Sequence, residues 1–262
     1  MMLRNKLSKI GAKVLAMLFF FGGLAILSGR AVRWTFLAPL KRGRVLEQAR
    51  KAGVDSLPIV ALISLFIGVI FTFQIAYLMQ RLGSEMYIAT IVALSLVREL
   101  GPVITALIVA GRVGAAITAE IGSMQVTEQI DALQTLSVSP IRYLVVPRLI
   151  ALALMLPLLT LYADIIGIFG GYLICVYKLG ISSTIYTKMT FDALLFKDLF
   201  TGLGKTIVFG MVIALVSCYE GFNVQGGSEG VGRATMKAVV TSFILIIATD
   251  CFFTALFYFI FP

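Results

Sequence analysis

Histidine is absent from the 262-residue sequence. Its absence removes the commonest catalytic base and the commonest metal ligand, so a Ser–His hydrolase is excluded. Cysteine is scarce. Cys175, Cys218 and Cys251 each lie within an apolar run, without metal-site spacing, and read as small packing residues. No metal site is expected. Tryptophan occurs once, at Trp34. Charge is thin as well: only 13% of residues are Asp, Glu, Lys or Arg, against roughly a quarter in a soluble domain. A sizeable water-soluble domain is therefore not expected.

What remains is apolar. Hydrophobic residues make up 60% of the chain and the mean hydropathy is +1.00. Five runs are long enough to span a bilayer, which takes about 20 helical residues. They are Pro58–Met79, Met86–Gly111, Leu149–Tyr177, Leu199–Tyr219 and Ala238–Phe261. The third exceeds the need and is expected to tilt or project. Val14–Gly29 is shorter and lies between Lys13 and Arg30. It has the outline of a signal-peptide core, but no small-x-small cleavage site follows. An interfacial helix is the better reading, with Trp34 and Phe36 beside Arg30, Arg33, Lys41, Arg42 and Arg44 as a headgroup-level anchor. The expected fold is all-α and polytopic: an N-terminal interfacial helix region over 1–52, then a five-helix transmembrane bundle over 53–262, in one membrane domain.

The net charge of +9 points to lipid headgroups and cytoplasmic loops rather than nucleic acid. Residues 1–57 carry 11 of the 22 Lys and Arg. With the N-terminus inside, the basic residues outside the spans divide 16 inside to 4 outside, the asymmetry expected of a cytoplasmic N-terminus. Five spans then put the C-terminus outside. Loops 112–148 and 220–237 fall inside, and the first of them is expected to hold a short helix near 119–139. Thr127 is expected to cap it, with Glu128 in its first turn, and Ser139-Pro140 to lie beyond its end. Proline at Ile130 is expected to break it.

Gly202-Leu-Gly-Lys-Thr ends like a phosphate-binding loop, but it sits in an apolar helix and the pattern's first glycine would fall at Leu199. Nothing else suggests nucleotide binding, so the chain is not expected to hydrolyse ATP. Asp164 and Asp250 lack the Gly-x-Gly-Asp setting of intramembrane aspartyl proteases. Gly226-Gly-Ser-Glu-Gly-Val-Gly-Arg reads as a flexible hairpin between spans. Gly111, Gly114, Gly167, Gly170 and Gly171 allow helices to approach closely.

The remaining charges are expensive at bilayer depth. They are Arg98, Glu99, Asp164, Lys205 and Asp250. Counted from the outer ends of their spans, Glu99 is about 20 Å deep, Asp250 about 17 Å and Lys205 about 9 Å at 1.5 Å per residue. A lysine stem reaches inward, so these groups are placed to meet. They form either a neutralised structural network or a relay or headgroup site.

Two blocks around these charges are long and specific. They read Leu96-Val-Arg-Glu-Leu-Gly-Pro-Val and Ala119-Glu-Ile-Gly-Ser-Met-Gln-Val-Thr-Glu-Gln-Ile-Asp-Ala-Leu. With Phe66-Ile-Gly and Gly227-x-Glu-Gly-Val-Gly-Arg-Ala-Thr, they resemble the MlaE/YrbE permeases, the membrane subunits of Mce-type phospholipid ABC transporters. The resemblance runs over nearly the whole chain. It implies a homodimeric permease of the bacterial inner membrane that maintains outer-membrane lipid asymmetry. ABC ATPase subunits, a periplasmic Mce-domain ring protein and a small STAS-domain subunit are the implied partners, and ATP and magnesium are used by the ATPase. The chain itself is expected to be no enzyme and to bind no cofactor. The implied lipid cavity is assigned Gln74, Leu78, Met79 and Leu82. The charge network is assigned Arg98, Glu99, Lys205 and Asp250, and ATPase coupling Glu120, Glu128, Gln129, Asp131 and Leu133. Rival readings are an ion-gradient-driven secondary transporter or channel, against which no inverted repeat is visible, and a structural scaffold.

Overall fold

The computed structural model describes residues 2–37 and 42–260, and every regular element among them is helical. Helix α1 (Met2–Leu37) is followed by α2 (Arg42–Ala52) and the first span, α3 (Leu57–Arg81). The second span is one broken rod: α4 (Ile88–Ser95), a π-helical turn Leu96–Leu100, α5 (Gly101–Val109), a second π turn Ala110–Gly114, and α6 (Ala115–Val126). A short helix, α7 (Gln129–Thr135), precedes the π turn Ile141–Val145 and the third span, α8 (Val146–Tyr177). Then come α9 (Ser183–Ala193), the fourth span α10 (Phe196–Phe222) and the fifth, α11 (Gly227–Ile260). Five helical stretches are long and apolar enough to cross a membrane, and the protein is a multi-pass membrane protein. Residues 53–56, 127–140 and 223–226 mark one face of the bundle, here the N-terminal face, and 82–84 and 178–195 the opposite one.

The most buried span is α8; α11 is the least covered. Leu149, Leu152, Leu156, Leu159 and Ala163 recur at helical spacing along α8 and pack with Phe209 and Ile213 of α10. Within a bilayer this contact gains little from the hydrophobic effect and depends on close van der Waals packing. Small residues supply the closeness. A Cβ on Gly68 of α3 would lie 2.0 Å from the Gly167 carbonyl oxygen, and one on Gly210 of α10 would lie 2.5 Å from that of Leu152. Gly170 is close too, with a Cβ there 2.6 Å from the Leu65 carbonyl oxygen, and one on Gly171 would meet the Thr72 hydroxyl at 2.8 Å, whereas Gly111 has only a Phe243 ring atom at 4.0 Å and is not a crossing point.

Three boundaries differ from the sequence expectation. The second span continues to Val126, so residues 112–126 are helix rather than loop. The fifth begins at Gly227, so only 223–226 remain a turn, closed by left-handed Gly226 and Gly227 (φ 89° and 69°). In both places polar residues mark where the helix leaves the apolar layer, not where it ends. Finally, Thr127 does not cap α7. Its hydroxyl donates back to the Ser123 carbonyl, closing α6, and Glu128 takes the cap position with a left-handed backbone (φ 57°).

Helix α1 is unbroken through Val14–Gly29 and packs against the bundle near the N-terminal face. Leu27 and Ala31 are buried, and Phe20 meets Tyr219 edge-on with ring centroids 5.2 Å apart. Trp34 lies beneath Arg142, and Arg44 sits over Tyr143. Lys41, Phe261 and the Phe36 side chain lie outside the described residues.

Candidate functional site: a charge cluster inside the membrane

Pro102 creates the site. It has no N–H, so the Arg98 carbonyl, four residues back, loses its helical donor. The chain accommodates this with the π turn, in which the Gly101 N–H reaches the Leu96 carbonyl instead. Such turns are local defects often found at functional positions. The freed Arg98 carbonyl faces Lys205 of α10, whose ammonium lies 3.4 Å away.

Lys205 is 2% exposed and has the three strong acceptors an ammonium can use. It donates to Glu99 at 2.8 Å, to Asp250 at 3.0 Å and to the Thr254 hydroxyl at 2.7 Å. Thr254 in turn donates to Glu99 at 3.1 Å. The second, fourth and fifth spans are thus joined at one buried nitrogen. The structure brings Glu99, Lys205 and Asp250 together, while the Arg98 side chain lines the same site without joining the Lys205 contacts. Consecutive helical residues point about 100° apart, so Arg98 turns to Asp198, 3.5 Å away, at the start of α10. Asp164 stays apart: it is 3% exposed, its carboxylate has no hydrogen-bond partner among the described residues, and it packs onto Gly101.

Beside the cluster is a cavity of about 110 Å³, lined by Arg98, Glu99, Thr201, Lys205, Thr254 and the rings of Phe257 and Tyr258. It offers a half-exposed guanidinium, a half-exposed carboxylate and hydroxyl groups next to aromatic surface. Sequence reasoning missed Thr254, Tyr258 and Asp198. Thr254 and Tyr258 follow Asp250 at intervals of four, and Asp198 precedes Lys205 by seven. Helical spacing from a known buried charge was the available signal.

The other predicted positions fall at the two ends of the bundle. Gln74, Leu78 and Leu82 share one exposed face at the opposite end of α3. Met79 turns instead toward a buried cluster containing Ala76, Ile88, Cys175 and Tyr186. It is one residue on from Leu78 and so lies around the helix from that wall. At the N-terminal face Glu128, Gln129 and Asp131 are exposed on α7, Leu133 is half-buried, and buried Ile130 anchors the helix. Glu120 lies on α6 and pairs with buried Arg148 of α8 at 2.9 Å. The Glu120 side chain nonetheless stays about half exposed, so it shares the N-terminal face with the polar side of α7. Among the described residues, no group of three or more His, Cys, Asp or Glu is placed to hold a metal ion.

A family model described as Permease MlaE matches residues 45–256, a stretch that contains the first four spans' apolar segments, most of the fifth and the whole Lys205 cluster. The chain belongs to the MlaE permease family. A probable ABC transporter permease protein of Rickettsia felis is 46% identical over 257 residues, covering 98% of this chain and 99% of its own. A probable ABC transporter permease protein of Synechocystis is 41% identical over 251 residues, 95% of this chain and 92% of its own. The chloroplastic protein TRIGALACTOSYLDIACYLGLYCEROL 1 of Arabidopsis thaliana is 38% identical over 233 residues, 89% of this chain and 67% of its own. As an MlaE-family member the chain is an ABC transporter permease, a subunit that is not itself catalytic, rather than an ion-gradient-driven carrier.

Proposed function

We propose that this MlaE-family permease moves phospholipid between the inner and outer membranes of a bacterium and so maintains outer-membrane lipid asymmetry. The observation that carries the reading is the cavity at the Lys205 cluster. It pairs ionic and hydroxyl groups with aromatic surface in a membrane interior, the combination a phospholipid headgroup and its acyl chains require. The relative named for trigalactosyldiacylglycerol, a glycerolipid, supports it. The single membrane domain works as a homodimer in the inner membrane, N-terminus cytoplasmic and C-terminus periplasmic. Large apolar groups on α3 and α11, such as Phe66, Ile70, Ile244 and Ile247, are exposed and available to a second copy. ATPase subunits, using ATP and magnesium, dock on α7. A STAS-domain subunit joins them on that side, and a ring of Mce domains sits on the opposite face.

Photo-crosslinkers test the lipid path. At Gln74, Leu78 and Leu82 they are expected to capture phospholipid severalfold more than at Leu154, which is exposed on α8. Equal capture at both faces means contact with bulk lipid only and defeats the lipid wall assigned to the end of α3.

Proline tests the docking helix. Ile130 is the second residue of α7, where a missing N–H is tolerated. Ala132 is the better position: it is exposed and its N–H bonds to the Glu128 carbonyl at 3.0 Å. Proline inside a helix costs about 3 kcal/mol, more than a seven-residue helix sustains. Ala132→Pro is expected to remove most of the ATPase that co-purifies with the permease while leaving membrane yield unchanged. Full ATPase retention would move the docking site to the 223–226 turn.

A further inference from the structure

A second cavity pair lies at the N-terminal face, where α1 crosses the turn before the third span. The first, about 410 Å³, is lined by Arg30, Arg33, Trp34, Ser139 and Ile141. The second, about 640 Å³, shares Arg30, Ser139 and Ile141 and continues over Leu27, Ile130 and Phe222. Arg30 and Arg33 are three residues apart on one helix face and both are exposed. Neither has a carboxylate partner among the described residues. Arg142 adds a third guanidinium, 5.7 Å from the centre of the Trp34 ring. The one carboxylate lining either cavity is Asp131. The cleft therefore has uncompensated positive charge at one end and an apolar floor at the other. Tryptophan beside arginine is also the pattern of a chain at headgroup level.

We propose that this cleft is a resident site for an anionic phospholipid, with the phosphodiester on Arg30 and Arg33 and an acyl chain along Leu27, Ile141 and Phe222. Basic pockets at a membrane boundary bind such headgroups through charge, and each arginine there strengthens the attraction. The site is distinct from the Lys205 cavity. Phe222 and Lys205 are seventeen residues apart on α10, about 25 Å at 1.5 Å per residue. The inference requires only that the protein crosses a membrane, so it stands or falls separately from phospholipid transport.

Trp34 is the sole tryptophan and reports on the cleft without a label. The full-length protein in phosphatidylcholine nanodiscs is titrated with phosphatidylglycerol or phosphatidylcholine carrying brominated acyl chains, and Trp34 quenching is followed. Two arginines are expected to make half-maximal quenching by the anionic lipid occur at about thirtyfold lower mole fraction. Arg30→Gln with Arg33→Gln should abolish that preference. Arg50→Gln, an exposed cation outside the cleft, should leave it intact. Equal quenching of the wild type by both lipids would mean ordinary annular lipid and overturn the site. So would an equal loss in Arg50→Gln, which would mean diffuse surface charge. Recovery of Trp34 emission on adding inorganic phosphate, but not sodium chloride of matched ionic strength, would make it a free-phosphate site and overturn the lipid assignment. The wild-type arms decide the question even if the double variant does not fold.

Discussion

Lys205→Glu is expected to abolish transport and most membrane yield. The variant would place a third carboxylate within about 3 Å of Glu99 and Asp250, in a position that is 2% exposed. Breaking a buried pair costs about 3–5 kcal/mol because the partner charge is left unmatched. Each like-charge contact at about 4 Å adds repulsion on the order of 4 kcal/mol at an effective dielectric of 20. That total is comparable to the whole stability of a typical domain. Exchanging the charges, Lys205→Glu with Glu99→Lys, restores one attractive contact and is expected to recover yield and monodisperse protein. Yield and size-exclusion profile check both statements. A Lys205→Glu protein that accumulates and transports normally would mean that the lysine is not held by the cluster.

Gly68→Val is expected to be nearly as damaging, for a different reason. Its Cβ would lie 2.0 Å from a backbone oxygen of Gly167, and backbone cannot rotate away as a side chain does. The two spans would have to separate, breaking the packing that positions α8 against the rest of the bundle. Overpacking of this kind costs typically 1–3 kcal/mol and sometimes more; with backbone on both sides, about 3 kcal/mol or more is expected. Gly204→Ala provides the control, because a Cβ there meets nothing within 4 Å. Thermal unfolding in detergent should show a large drop for Gly68→Val and almost none for Gly204→Ala. If both melt alike, the α3–α8 crossing is not as close as described.

The sequence made the spans legible because twenty apolar residues in a row have few other uses. It also showed which charges share a depth, since depth follows from residue count alone. Helix rotation was harder to read. Met79 does not share the wall of Leu78, and Arg98 reaches the cavity of the Lys205 cluster yet pairs with Asp198, because a one-residue step turns a side chain by about 100°. The π turn at Leu96–Leu100 shifts that phase again. Its cause, Pro102, was visible in the sequence, but the identity of the donor to the freed carbonyl was not. Helix ends were misplaced at Val126 and Gly227 because hydropathy reports the edge of the bilayer and hydrogen bonding decides the end of the helix. The partnerless state of Asp164 could not be read from sequence at all, since it depends on what α8 meets across the bundle.

Phospholipid transfer by the exchanged-charge protein bears most directly on the central claim that the Lys205 cluster is part of a lipid path. The permease and its ATPase are reconstituted into donor liposomes, and ATP-dependent transfer of labelled phospholipid is measured for wild type and for Lys205→Glu with Glu99→Lys. The wild type is expected to transfer lipid. The exchanged protein should fold, bind the ATPase and fail to transfer, because the charge presented to the cavity by residue 99 has changed sign. Transfer at the wild-type rate by the exchanged protein would reduce the cluster to a structural tie. ATP hydrolysis by the wild-type complex without any lipid transfer would contradict the lipid path itself.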